Sequence, residues 1–227
     1  MSIVFDSSAN ANSLTVAHTI GNGSNRVLFA VYNGSSASDG EMASCTYNNV
    51  QADGSKKINT TQWGSTYGIT IFYWLESSLP VAGTYNCVAV PNTTLWNQAV
   101  ITASFSDVKQ EALVGFSADS LSGNEKKSTL GVVSVESNCC FIDSSGCYTG
   151  NTVTMTPDSG QISLGTVNQD AYASMSVGHK IKASSGSEDL VWLFSDLEYF
   201  WNAVAYVMKP AVIVPAGSVR DMLAHNF

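Results

Sequence analysis

The residues that could do chemistry in this chain are three histidines, two close carboxylate pairs, a cysteine cluster and a few aromatics set beside amides. His18, His179 and His225 lie far apart, and none has a partner at metal-site or triad spacing. No Gly-x-Ser-x-Gly elbow, His-Glu-x-x-His helix or phosphate-binding loop occurs. Glycoside hydrolysis needs two carboxylates on facing elements. Glu188-Asp189 and Asp196-x-Glu198 are the close pairs. Asp196 and Glu198 would share one face of an extended strand. The position of Asp196 also suits a chain reversal, where a carboxylate is simply solvated. No catalytic residue is assigned.

The cysteines are Cys45, Cys87, Cys139, Cys140 and Cys147. An odd count argues against a secreted disulfide framework. The cluster from Cys139 to Cys147 lacks a Cys-x-x-Cys pair, a second ligand pair and a nearby histidine, so neither a metal nor a cofactor is expected. The plain reading is reduced thiols on a hairpin around Ser144-Ser145-Gly146. A local disulfide across Cys139 or Cys140 and Cys147 would need an oxidising setting.

Aromatics beside amides suit carbohydrate, because each ring offers an apolar plate with polar handles nearby. Trp63 and Tyr67 lie in the polar segment 59–68, which reads as a loop, and Trp96 lies beside Asn92, Thr93, Thr94 and Asn97. These three are the candidate glycan or partner contacts. The competing reading folds them back onto the end of the domain.

The elements that must position these groups read as short strands. Period-two alternation recurs between clusters of Gly, Asn and Ser. Segment 26–32 is a buried strand, and segment 68–75 is apolar on both faces, which predicts a central strand. Segments 33–40 and 117–128 read as exposed loops. One helical turn is expected at 196–200, and a short terminal helix at 219–227. Across 227 residues this gives an all-β, antiparallel, jelly-roll-like β-sandwich of about ten to twelve strands over 1–210. Residues 211–227 form an extended C-terminal arm. Val212, Ile213 and Val214, between two prolines, are candidate assembly residues. A last strand packing on its own domain is the equal alternative.

Hydrophobic residues make up 44% and charged residues only 12%, so neutral polar side chains must cover the surface. The formal charge is −8 and basic residues never cluster beyond a pair, which excludes a nucleic-acid partner and an anionic membrane surface. No run reaches the ~18 apolar residues of a membrane span. The first residues lack the basic and apolar regions of a signal peptide.

Several segments, taken in order, carry a resemblance. They are Gly23-x-Asn25-Arg26-Val27-Leu28, Cys45-Thr46-Tyr47-Asn48-Asn49-Val50, and Ile71-Phe72-Tyr73-Trp74-Leu75 followed by Leu79-Pro80-Val81-Ala82-Gly83-Thr84-Tyr85. Ala103-Ser104-Phe105-Ser106-Asp107-Val108 and Trp201-Asn202-Ala203-Val204-Ala205-Tyr206-Val207-Met208-Lys209-Pro210 complete the set. Together they resemble a diffuse family of jelly-roll-like domains from phages, other viruses and bacterial extracellular proteins. Asn49 stands where that family's turn has Gly, and Asp107 where it has Gly before Val. The family has no uniform catalytic residues. The resemblance implies a non-enzymatic virion structural protein, either a capsid decoration or cement protein or a tail or fibre component. Such a protein would be made in the host cytoplasm and located in the virion. Its partners would be copies of itself, with a trimer favoured, and other virion proteins. A carbohydrate-binding or adhesive module is the alternative, and a glycoside hydrolase or lyase a third.

Overall fold

The computed structural model describes residues 2–62, 64–113, 115–134, 136–148, 152–169 and 173–212. Its strands pair antiparallel, with one 3-10 turn at Glu76–Ser78 and no α-helix among the described residues. The first nine strands are β1 Val4–Ala11, β2 Thr15–Ile20, β3 Val27–Ser36, β4 Met42–Tyr47, β5 Val50–Gln51, β6 Gly54–Gln62, β7 Ser65–Leu75, β8 Gly83–Pro91 and β9 Asn97–Ser106. Six follow: β10 Ser117–Ser134, β11 Cys139–Tyr148, β12 Met155–Pro157, β13 Ile162–Gln169, β14 Ala173–Lys182 and β15 Gly186–Met208.

Three sheets result, with strand orders β1-β9-β3-β7-β6, β2-β8-β4-β5 and β10-β15-β11-β14-β13. The first lies between the other two. Leu28, Ala30 and Tyr32 of β3 pack with Val16, Cys45, Tyr47 and Cys87 of the second sheet. Val27, Phe29 and Val31, on the opposite face of β3, pack with Ile142, Met175, Val177 and Tyr206 of the third. Both faces of the first sheet are therefore dry, which is why residues 27–32 of β3 and 69–75 of β7 read as near-continuous apolar runs.

A third core lies on the far side of the third sheet. β10 and β15 form one long ribbon, from Ser117↔Ala205 to Ser134↔Gly186. Register shifts between Ser122 and Lys127 break the ladder midway, the kind of irregularity that lets a ribbon bend. The outer half folds back, so Leu130, Leu190, Trp192 and Phe194 cover Phe141, Cys147 and Ala205. Burying Trp192 alone is worth about 2–3 kcal/mol.

Several sequence expectations are corrected. Segment 117–128 belongs to β10, not to a loop. No helical turn forms at 196–200, which lies within β15, but the chain does fold back there as the position of Asp196 suggested, since Trp192 Nε1 reaches Asp143, whose strand partner is Ala205. Asn33, Ser35 and Ser36 are buried in the extension of β3 rather than sitting on a loop tip. Ser144, Ser145 and Gly146 form no hairpin turn. They lie inside β11, where Gly146 leaves room for the Asn33 amide and Ser145 Oγ meets Ser128 Oγ at 2.8 Å. Cys140 and Cys147 therefore sit roughly 20 Å apart on one extended strand and cannot bridge.

Fifteen strands are described where ten to twelve were expected. β1, β6 and β13 lie at sheet edges, where one side needs no apolar pattern. Asn49 (φ 63°) and Asp107 (φ 60°) adopt the left-handed backbone, a conformation Asn and Asp tolerate.

Candidate functional site

At one end of the stack, Trp96 is 58% exposed. It borders an open recess of about 200 Å³, whose other walls are Asn12, Asn97, Gln98 and Gln169. The recess is a seam: Trp96, Asn97 and Gln98 come from the entry to β9, Asn12 from the β1–β2 connection, and Gln169 from the end of β13.

Close backbone approach holds Trp96 in place. Its N–H donates to Ser35 O at 2.8 Å, and Asn97 Nδ2 donates to Ser35 Oγ at 3.4 Å. The preceding Leu95 lies over Gly34. A Cβ on Gly40 would overlap the Gly34 carbonyl and come within 2.5 Å of Gly68 N, so only glycine fits there. Asp39 ties this loop to the next: it accepts from Glu41 N and Asn92 Nδ2, both at 2.8 Å, and from Asn59 Nδ2 at 3.4 Å. Burial opposes ionisation of Asp39, but these hydrogen bonds outweigh it and hold the carboxyl below its usual range.

Across the seam, Asn12 Nδ2 donates to Asn168 O at 2.9 Å, and Gln169 Nε2 to Asn33 Oδ1 at 3.4 Å. Gln169 is 3% exposed, and its Oε1 has no hydrogen-bond partner among the described residues. Among those residues the lining carries no charged side chain.

The other candidates fare differently. Tyr67 is not a loop aromatic. It is the third residue of β7, buried, with its ring centroid 4.9 Å from Tyr148 and 4.6 Å from Phe200. Its carbonyl accepts from Asn202 Nδ2 at 3.0 Å. No sugar can reach that ring. Trp63 lies outside the described residues, as do Ile213 and Val214. Val212 is described and 75% exposed. It leaves directly after Ala211, whose N–H donates to Asp107 O at 2.7 Å.

The catalytic prospects are committed elsewhere. Glu188 is clamped by Lys180 Nζ at 2.7 Å and Lys182 Nζ at 2.8 Å, which hold its carboxyl below the usual range. His18 and Ser104, 86 residues apart in sequence, meet with Nε2 and Oγ 3.0 Å apart. However, Ser104 Oγ donates its proton to Asp6 Oδ2 at 2.8 Å, and His18 is fully buried. A nucleophile needs the opposite order, with histidine between serine and carboxylate. Burial lowers the His18 pKa to about 4, leaving it neutral.

Asp143 is also sealed, accepting from Trp192 Nε1 at 2.6 Å and from Gln161 Nε2 at 2.9 Å and 3.0 Å. Cys45 and Cys87 bring their Sγ atoms within 3.4 Å, both wholly buried. Among the described residues no group of three or more His, Cys, Asp or Glu side chains is placed to hold a metal ion.

Compared with known protein families, curated proteins and solved structures, the chain matches none.

Proposed function

We propose that the protein is a non-enzymatic carbohydrate-binding or adhesive module that holds a glycan at the Trp96 recess. The observation that carries this reading is an indole left more than half exposed and ringed by amide side chains. An exposed indole face gains most from an apolar sugar face, while the amides supply both donors and acceptors for hydroxyls. The sealed positions of His18 and Asp143 support the non-catalytic part. Retention on a glycan array tests it. Trp96→Ala should lower affinity by about 30-fold, equivalent to ~2 kcal/mol, with the near-ultraviolet circular dichroism unchanged. An array on which the native protein retains nothing would sink the reading.

The finer architecture we propose is a jelly roll over residues 4–106. The facing strand orders β1-β9-β3-β7 and β2-β8-β4-β5 support it, since each alternates early and late strands, as a folded-over pair of Greek keys does.

A second reading is favoured by Val212, which stands exposed just past the point where the chain is pinned to Asp107. It is that of a virion structural subunit, a capsid decoration, cement, tail or fibre component, assembling as a homo-oligomer through residues 211–227. The solution mass of the full chain, and of a chain ending at Pro210, tests it. An assembly that dissociates on truncation supports it, and a monomer in both forms counts against it.

A further inference from the structure

We propose that Cys45 and Cys87 are a modification site, at which a small disulfide oxidant joins β4 to β8 through a cross-strand bridge. The site is independent of the Trp96 recess.

Proximity comes first. The two residues are 42 positions apart in sequence, yet their Sγ atoms lie 3.4 Å apart. A disulfide bond is ~2.05 Å long, so the sulfurs have about 1.4 Å left to close. Only weak contacts are lost on the way. Cys45 Sγ–H donates to Tyr32 Oη at 3.6 Å, and Tyr32 Oη faces Cys87 Sγ at 3.6 Å. After bridging, the Tyr32 hydroxyl still has Leu14 O as an acceptor, 3.4 Å away.

The strands allow the closure. Cys45 stands opposite Ala89 and Cys87 opposite Tyr47, so the pair is a diagonal on one face of the β4–β8 ladder. In a regular sheet diagonal Cα atoms are ~7–8 Å apart, just past the ~6.8 Å that a disulfide spans without backbone movement. β4 can make that movement. A register shift between Met42 and Ser44 interrupts its ladder to β8, and outside it lies only the two-residue β5. A bulged strand at the margin of a sheet shifts more readily than a central one.

The other thiols form no comparable pair. Cys139 and Cys140 are neighbours on β11 that face opposite cores, and Cys147 lies further along the same extended strand. One bridge and three thiols therefore account for all five cysteines.

The exchange balances with a reagent such as oxidised glutathione. One cysteine, as thiolate, attacks the reagent's S–S bond and releases one reduced thiol. The second cysteine, as thiolate, attacks the mixed disulfide and releases the other. Two protein S–H bonds are lost and one S–S bond forms. Two electrons pass to the reagent, and both protons end on its thiols. The Cys87 contact and burial push the Cys45 thiol well above its usual range, and both sulfurs are sealed from solvent, so exchange in the folded protein waits for β4 to lift. A reducing compartment leaves the pair as thiols, and an oxidising one closes it. The bridge encloses β5, β6 and β7 in one covalent loop, which stabilises the fold.

The experiment treats the full-length protein with oxidised glutathione, both folded and during refolding from urea, when every thiol is accessible. Remaining thiols are then alkylated with maleimide in urea, and intact mass and peptide maps are read. Reduced protein should take five maleimides and oxidised protein three, with the loss of two hydrogens and one linked pair of peptides, carrying Cys45 and Cys87. The bridge should raise the melting temperature by roughly 5–10 °C, and reductant should reverse the rise. Cys45→Ala and Cys87→Ala should each keep four reactive thiols after the same treatment and show no such rise. Should either variant fail to fold, the peptide map of the native chain decides. Refolded protein with native circular dichroism and five cysteines free or carrying glutathione would overturn the proposal. So would a bridge that lowers the melting temperature, or a linked pair that includes Cys139, Cys140 or Cys147.

Discussion

Asp143 gives this protein a pH dependence opposite in sign to ordinary acid lability. The side chain is 2% exposed, and burial pushes its pKa up to about 7 against the pull of the Trp192 and Gln161 hydrogen bonds. In the unfolded chain an aspartate titrates near ~3.9. Between those values the folded protein keeps a proton that the unfolded chain has released. Stability therefore falls as pH rises through the window from about 4 to 7. Some three units at ~1.4 kcal/mol each amount to about 4 kcal/mol. Asp143→Asn fixes the neutral form. Its oxygen can accept from Trp192 Nε1. Its amide can donate to Gln161 Oε1, an atom without a partner among the described residues, once the Gln161 amide turns over. The assay is urea unfolding of both proteins at several values from pH 4 to pH 8, followed by tryptophan fluorescence. The stability of the variant relative to native should grow by about 4 kcal/mol across that range. His18 imposes the reverse slope, since its lowered pKa makes stability rise with pH between about 4 and 6.5, but it does so in both proteins and cancels in the difference. A gap that stays constant, or that widens as pH falls, would mean that folded Asp143 does not hold its proton above the unfolded value.

Two further outcomes follow from the packing. Gly40→Ala should destabilise the fold by about 2 kcal/mol or more, because its Cβ meets backbone from both Gly34 and Gly68, and neither can rotate away; thermal unfolding checks this, and sugar affinity should drop with it because the same contact seats Trp96. All five cysteines are buried, so a maleimide should label none in the native protein within minutes and all five in denaturant, as counted by intact mass.

The strands that could be read from the sequence were those with a dry face on each side or a clean alternation. Segment 68–75 announced a central strand because the first sheet is covered twice. The strands that escaped reading lie at edges: β1, β6, β13 and the first half of β10 need only backbone pairing on one side, so their polar side chains mimic a loop. The folding-back of the β10–β15 ribbon was legible only as the chain reversal expected at Asp196; nothing local distinguishes Trp192, which the fold-back buries, from a residue on an ordinary strand.

The candidate site was half legible. Trp96 with Asn97 stood out because the two are adjacent. Asn12 and Gln169 join them only through the seam between sheets, and long-range pairing leaves no mark on a single sequence. Tyr67 was misplaced for a related reason: its neighbours Thr66 and Gly68 are polar or small, yet they are buried because glycines let three backbone segments close together there.

The proposed ligand site is Trp96 with its ring of amides. The most direct test is a nitrogen–proton spectrum of the labelled full-length protein, titrated with whichever oligosaccharide the array retains. The Trp96 indole N–H, assigned through Trp96→Phe, should shift together with the side-chain amides of Asn12, Asn97, Gln98 and Gln169. Shifts that leave these resonances untouched and cluster elsewhere would place the ligand away from Trp96.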